Sequence, residues 1–173
     1  MSAPFRDLVQ IEPAGESALP AIARLAGSIW RACYPGIISS QQIDYMLDRM
    51  YSLEALRREI ISGGICYQRL FVAGEFAGFA SYGPAGPDAF KLHKLYLHPE
   101  HHGRGLGGSL LQHCEREVRK LGAQRLTLNV NKQNAGAIAF YRRNGFVIVE
   151  PVIIDIGEGF VMDDYIMAKQ LAS

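Results

Sequence analysis

Residues 95–111 read LYLHPEHHGRGLGGSLL. The stretch begins as the apolar end of a strand, passes Pro99, and turns on glycines into a helix with the stripe Leu106, Leu110, Leu111, Cys114, Val118 and Leu121. Gly122 closes that helix. Gly103, Gly105 and Gly108 match G-x-G-x-x-G literally, which raises the question of a dinucleotide site. Such a site needs an acid about 20 residues further on, at the end of the next strand. Here that strand ends Leu128-Asn129-Val130-Asn131, without one, and no Gly-Lys-Ser/Thr marks a P-loop. The physics common to glycine loops remains. Glycines let the backbone turn sharply and bring several N–H groups to a positive helix N-terminus, where a phosphate fits. Arg104 adds a charged fork inside the loop. The alternative is a tight strand-to-helix turn that binds nothing.

Upstream, Cys66 to Ala73 and Glu75 to Tyr82 flank Gly74 as an antiparallel hairpin, Gly83-Pro84-Ala85-Gly86-Pro87 is a turn, and Ala89 to Leu97 is a further strand. Phe5 to Glu12 alternates as a first strand. Pro20 to Tyr34 carries Ile22, Leu25, Ile29 and Cys33 at helical spacing. Ser39-Ser40-Gln41-Gln42 starts a helix before Ile43, Met46 and Leu47, and Ser52 to Ile61 forms another, ended by Gly63-Gly64. Downstream come a strand through Leu126, Leu128 and Val130, a helix over Asn134 to Asn144, and strands over Phe146 to Asp155 and Phe160 to Ala168. The order is that of a mixed α/β (α+β) domain rather than a doubly wound sheet.

The whole chain, 173 residues with 49% hydrophobic and 20% charged, has room for one domain, 1–173, with a sizeable core. Eighteen Lys and Arg against 17 Asp and Glu leave a net charge of +1, so no overall basic footprint for nucleic acid exists. The three cysteines form no CxxC and read as buried thiols in a reducing compartment. No apolar run is long enough to span a bilayer and the N-terminus has no apolar signal core, so the expectation is a cytoplasmic protein without a membrane partner. All five histidines fall between His93 and His113. His98-Pro-Glu-His101-His102 lacks H-E-x-x-H spacing, and Pro99 disfavours a helix presenting two of them. Exposed loop histidines without a metal are the expectation.

Leu-Tyr-Leu-His-Pro-Glu-His-His-Gly-Arg-Gly-Leu-Gly (95–107) resembles motif A of the GNAT N-acetyltransferases, an apolar-x-Pro-Glu segment followed by Gln/Arg-x-x-Gly-x-Gly/Ala. Leu128-Asn129-Val130, Asn134, Ala137, Phe140-Tyr141 and Gly145-Phe146 resemble that family's second block. The resemblance implies a mostly antiparallel twisted sheet of about seven strands flanked by helices. It implies acetyl-CoA as donor, a small-molecule or peptide amine as acceptor, and often a homodimer. By analogy the pyrophosphate sits on the loop from Gly103 through Arg104, Gly105, Leu106 and Gly107 to Gly108, and the pantetheine arm runs along Leu95, Tyr96 and Leu97. His102 stands where the family usually has Gln or Arg, a contact that Arg104 then takes over.

Acyl transfer asks for a base near the amine, whose pKa is about 10.4 when free, and an acid near the departing thiolate, about 8.5. Tyr141 stands where the family commonly places the acid, although a tyrosine there also serves as a core aromatic. His93, on the strand face of Leu95 and Leu97, is a candidate base with an imidazole near 6.5. Glu100 or Tyr96 acting through water, or an amine recruited already neutral, are alternatives. Asn134 caps a helix and, by resemblance, touches the cofactor. Trp30, Tyr34, Tyr45 and Tyr51 either line an acceptor pocket or pack the core. Glu150, Asp155, Glu158, Asp163 and Asp164 make the last hairpin acidic, either attracting a polyamine-like acceptor or simply facing solvent. The ending Asp163 to Lys169 loosely resembles bacterial polyamine-acetylating members. A coenzyme A-binding sensor or interaction module without catalysis is the competing class.

Overall fold

The computed structural model describes residues 8–171. Of the strand expected over 5–12, residues 5–7 lie outside that range. Seven strands, β1 (Val9–Ala14), β2 (Cys66–Val72), β3 (Glu75–Pro84), β4 (Ala89–Leu97), β5 (Arg125–Asn131), β6 (Val147–Gly157) and β7 (Phe160–Gln170), form one sheet in the order β1-β2-β3-β4-β5-β7-β6. Every neighbouring pair is antiparallel except β4 and β5. A parallel pair needs a crossover, and the helix after the glycine turn supplies it.

The helices are α1 (Leu19–Cys33), α2 (Ser40–Tyr51), α3 (Leu53–Ile61), α4 (Leu106–Lys120) and α5 (Ala135–Arg143). Their starts follow from side-chain caps: Ser39 accepts from the Gln42 amide at 3.1 Å, Ser52 from Ala55 at 3.3 Å, and Asn134 from Ala137 at 3.1 Å. Two cores result. Ile22, Ile29, Trp30, Met46 and Leu56 of α1–α3 bury against Tyr67 and Phe79, while Leu110, Leu111, Cys114 and Val118 of α4 bury against Leu92, Leu126 and Leu128. Leu121 departs from its expected place in the α4 stripe: it follows the last helical turn and is 58% exposed. The cysteines also differ from expectation, since Cys114 is buried, Cys33 half-buried and Cys66 exposed.

The feature that positions a site is a mid-sheet parting. β4 and β5 pair only at Ala89–Arg125, Phe90–Leu126 and Lys91–Thr127. Past Lys91, β4 continues against β3 to Leu97, and β5 against β7 to Asn131. The two central strands therefore separate and leave a cleft between them.

Candidate active site

One face of β4 is set by a bulge. Ser81 pairs with Lys94 and Tyr82 with Leu92, so His93 is an extra residue in the ladder. Leu92, Leu95 and Leu97 all belong to the core under α4 and α5, a spacing of three that breaks the alternation. The expectation that His93 shares the face of Leu95 and Leu97 by simple parity is thus corrected, because Leu92 takes that place. His93 itself is exposed. Partial desolvation, with Lys91 and Lys94 nearby, holds its imidazole down to about 4, which leaves it neutral but a weak base at pH 7.

The open edge of β4 is readable from its hydrogen bonds. The His98 amide donates to the Ala77 carbonyl at 2.9 Å. Alternation along the antiparallel ladder then turns the N–H and C=O groups of Leu95 and Leu97 away from β3, toward the cleft. Tyr96 is different: its backbone bonds to β3 opposite Phe79, and its ring packs at 5.7 Å from Phe79 and 5.9 Å from Trp30. Its place in the expected cofactor edge passes to its two neighbours. The Leu97 carbonyl is already met by His102 Nε2 at 2.9 Å, so His102 folds back on the strand end.

At the cleft's far end, the chain turns into α4 through Gly103 and Gly105, with φ of 75° and 76°. A side chain is strained in that region, which explains glycine there. Gly105 is the N-cap and offers no side chain to the first turn, where the amides of Leu106, Gly107 and Gly108 lead the helix. Leu106 itself is a core side chain, 3% exposed, and contributes only backbone. A Cβ on Gly107 would meet Phe140 and Leu97 at 3.4 and 3.5 Å, so close packing explains that glycine. Gly108 has neither reason: a Cβ there would meet nothing within 4 Å. Its bareness keeps space open in front of an uncapped helix end, the cradle a pyrophosphate requires.

Beneath the cleft, Tyr141 is 9% exposed, with its ring 5.2 Å from Phe140 and 5.6 Å from Phe146. Burial, with the Tyr34 hydroxyl and Cys114 thiol nearby, raises its pKa and keeps the phenol protonated. The Asn134 side chain is occupied as the α5 cap. His101 is not an exposed loop residue: it is 8% exposed, and its Nδ1 has no hydrogen-bond partner. Among the described residues, no group of three or more His, Cys, Asp or Glu is arranged to hold a metal ion. Nor is any helix there long and apolar enough to cross a membrane.

Residues 26–146 match the Acetyltransferase (GNAT) family. The chain belongs to that family. It is 29% identical over 160 residues to the spermidine N(1)-acetyltransferase of Thermoplasma acidophilum, covering 90% of this chain and 96% of that one. The crystal structure of the PaiA N-acetyltransferase from Thermoplasma acidophilum in complex with coenzyme A superposes with a TM-score of 0.79 at 27% identity, covering 94% of this chain and 98% of that one. With the streptothricin acetyltransferase of Streptomyces lavendulae the match is 39% over 83 residues, 45% of this chain and 44% of the relative. The segments that resemble the family's motifs, 95–107 and 128–146, hold the free end of β4, the glycine turn, the end of β5 and α5.

On the other face of this GNAT sheet lies a group whose members the sequence names separately and the fold brings together. Trp30 and Tyr51 are core, 2% and 3% exposed; Trp30 stacks on Tyr34 at 4.3 Å, and the Tyr34 hydroxyl lies 3.4 Å from that of Tyr96. Asp164 of β7, read from sequence only as one of five hairpin acids, is 2% exposed, and burial raises its carboxyl to about 6. A signal existed. Asp164 occupies the inward stripe Phe160, Met162, Asp164, Ile166, where an acid is out of place. Asp163, by contrast, faces out and pairs with Lys132.

Proposed function

We propose that this GNAT enzyme moves an acetyl group from acetyl-CoA directly to a primary amine of a small, polyamine-like molecule. Gly108 carries the donor assignment: an open, bare position at an uncapped helix N-terminus, in line with the free edge of β4, suits a pyrophosphate followed by an extended pantetheine arm. The amides of the α4 first turn hold the phosphates, and Arg104 stands beside them. Leu95 offers its N–H and C=O, and Leu97 its N–H, as a strand edge to the arm's amides. Acetyl-CoA supplies the activated thioester.

Tyr141 is the proton donor to the leaving sulfur. A phenol raised above its ordinary 10 gives its proton downhill only to a stronger base, so delivery occurs as the C–S bond breaks and charge builds on sulfur. Its position under the cleft, on α5 within the second motif segment, supports the role. The polyamine-like acceptor is favoured by the spermidine-acetylating relative that aligns over nearly its whole length. A panel of polyamines, amino acids, aminoglycosides and N-terminal peptides, followed by acetylated product in mass spectra, tests it. N-acetylated polyamine as the leading product is the expected result. Peptide or amino-acid products alone would overturn the acceptor class.

A further inference from the structure

Asp164 has an environment that the fold does not explain. It is a carboxylate 2% exposed, and among the described residues it belongs to no ion pair within 4 Å. The polar groups within electrostatic reach of it are the Asn129 side chain, Lys91, Lys132 and Asp163. Burying a carboxylate without a counter-ion is costly, and such groups are retained where a ligand completes them.

Its place in the sheet says which ligand. Lys91 and Thr127 are the last pair before β4 and β5 separate, and Lys91 points opposite Phe90 and Leu92, to the face of α1–α3. On β5, Leu126, Leu128 and Val130 face the α4 core, so Asn129 faces the α1 side, as does Asp164 between Met162 and Ile166. Asp164 is within electrostatic reach of Tyr34, and Tyr34 within reach of Tyr141. Asp164 pairs with Asn131, four residues along β5 from Thr127, so the carboxylate stands beside the open part of the cleft, across the sheet from α4 and one aromatic residue from the proposed acid.

We propose that Asp164 is the acceptor-amine carboxylate: it receives the acceptor's ammonium beside the open part of the cleft and takes the proton that nitrogen releases on attack. The proposal rests on the acetyltransferase function above and assigns its missing base. The ammonium loses one proton to solvent as the amine becomes nucleophilic. The N–C bond then forms and the C–S bond breaks, nitrogen passes its second proton to Asp164, and sulfur takes one from Tyr141. Proton return from Asp164 to Tyr141, through Tyr34 or water, restores both groups. Lys91 of β4 competes with the incoming ammonium for Asp164, while Lys132, Asp163 and Tyr34 complete the titratable surroundings from the β5–α5 turn, β7 and the end of α1.

The test uses full-length wild type, Asp164→Asn and Lys91→Met, with kcat/KM for the preferred amine measured from pH 5 to 9 and acetyl-CoA binding measured separately. The wild type should show an acid limb near pH 6. Asp164→Asn should lose that limb and fall in kcat/KM by roughly 10²- to 10⁴-fold, the range for a missing general base, with acetyl-CoA affinity unchanged. Lys91→Met, which removes the cation that holds Asp164 down, should move the limb upward and lower KM for the amine. An acid limb that persists in Asp164→Asn, or that disappears instead in His93→Ala, overturns the assignment. A wild type that binds acetyl-CoA but acetylates no amine refutes the transferase function itself, a distinguishable failure.

Discussion

Replacing Asp164 with Asn should make the folded protein more stable at neutral pH while it cripples turnover. The side chain is 2% exposed, and its carboxyl moves from an ordinary 3.8 to about 6 on folding. A raised carboxyl means that the folded state holds more protons than the unfolded chain between those values. The stabilising contribution of the protonated form is complete below pH 3.8 and is lost as pH rises through 6. By pH 7.5 the wild type carries a buried charge that disfavours the fold by about 3 kcal/mol. Asn has nearly the same shape and no charge, so Asp164→Asn should raise Tm by roughly 6–12 °C at pH 7.5, given about 2–4 °C per kcal/mol for a chain of this size. Near pH 4 the difference should shrink toward zero, since both side chains are then neutral. Paired thermal melts of the two proteins from pH 4 to 8 measure it, and every other titrating group cancels in the comparison. A variant that melts lower than wild type at pH 7.5 would falsify the idea, because it would mean that the ionised carboxylate stabilises the fold.

Other perturbations separate packing from function. Gly108→Ala should add about 0.5–1 kcal/mol of stability, because Ala suits a helix and nothing crowds the site, yet weaken CoA binding roughly 10- to 100-fold by calorimetry. Gly105→Ala, at φ 76°, should instead cost about 1–2 kcal/mol in denaturant melts. Tyr141→Phe should lower kcat by roughly 10²-fold or more with acetyl-CoA affinity unchanged; an unchanged kcat would make Tyr141 a core aromatic. The buried pair on β4 and α3 should respond asymmetrically. Lys94 Nζ sits 2.7 Å from both Glu59 carboxylate oxygens, with Tyr67 also donating to Glu59, and the Lys94 side chain is 2% exposed against 30% for Glu59. Glu59→Gln strands a buried ammonium and should cost about 3–5 kcal/mol, whereas Lys94→Met leaves a carboxylate that reaches water and should cost less.

Much of this architecture is legible in local patterns. The caps at Ser39, Ser52 and Asn134, the glycine turn, and the alternation of Leu126, Leu128 and Val130 each report on a few neighbouring residues, and the helices and strands they mark are present near their expected limits, while β1 lies at Val9–Ala14 and β3 runs on through Gly83 and Pro84 into the expected turn. What the chain hides depends on pairing between distant segments. The bulge that displaces His93 exists only because β3 and β4 fall out of register there, and no local signal marks it. Tyr96 is read as part of a cofactor edge because adjacent residues look alike in sequence, while the ladder with β3 gives its backbone a different partner. Asp164 looks like one charge in an acidic hairpin until the folded sheet buries it, and only then does its neighbour Asp163 differ from it. Leu121 fails for a simpler reason, since the helix stops one residue before it.

The most direct test of a cleft that carries acetyl from CoA to an amine is the stoichiometry of a single reaction. Purified protein, acetyl-CoA and a polyamine are mixed, with free thiol and N-acetylated amine measured in the same sample over time. One CoA released for each N-acetylated amine formed, with both abolished when the amine is left out, is the predicted result. Acetyl-CoA that binds and remains intact in the presence of every amine offered would contradict it.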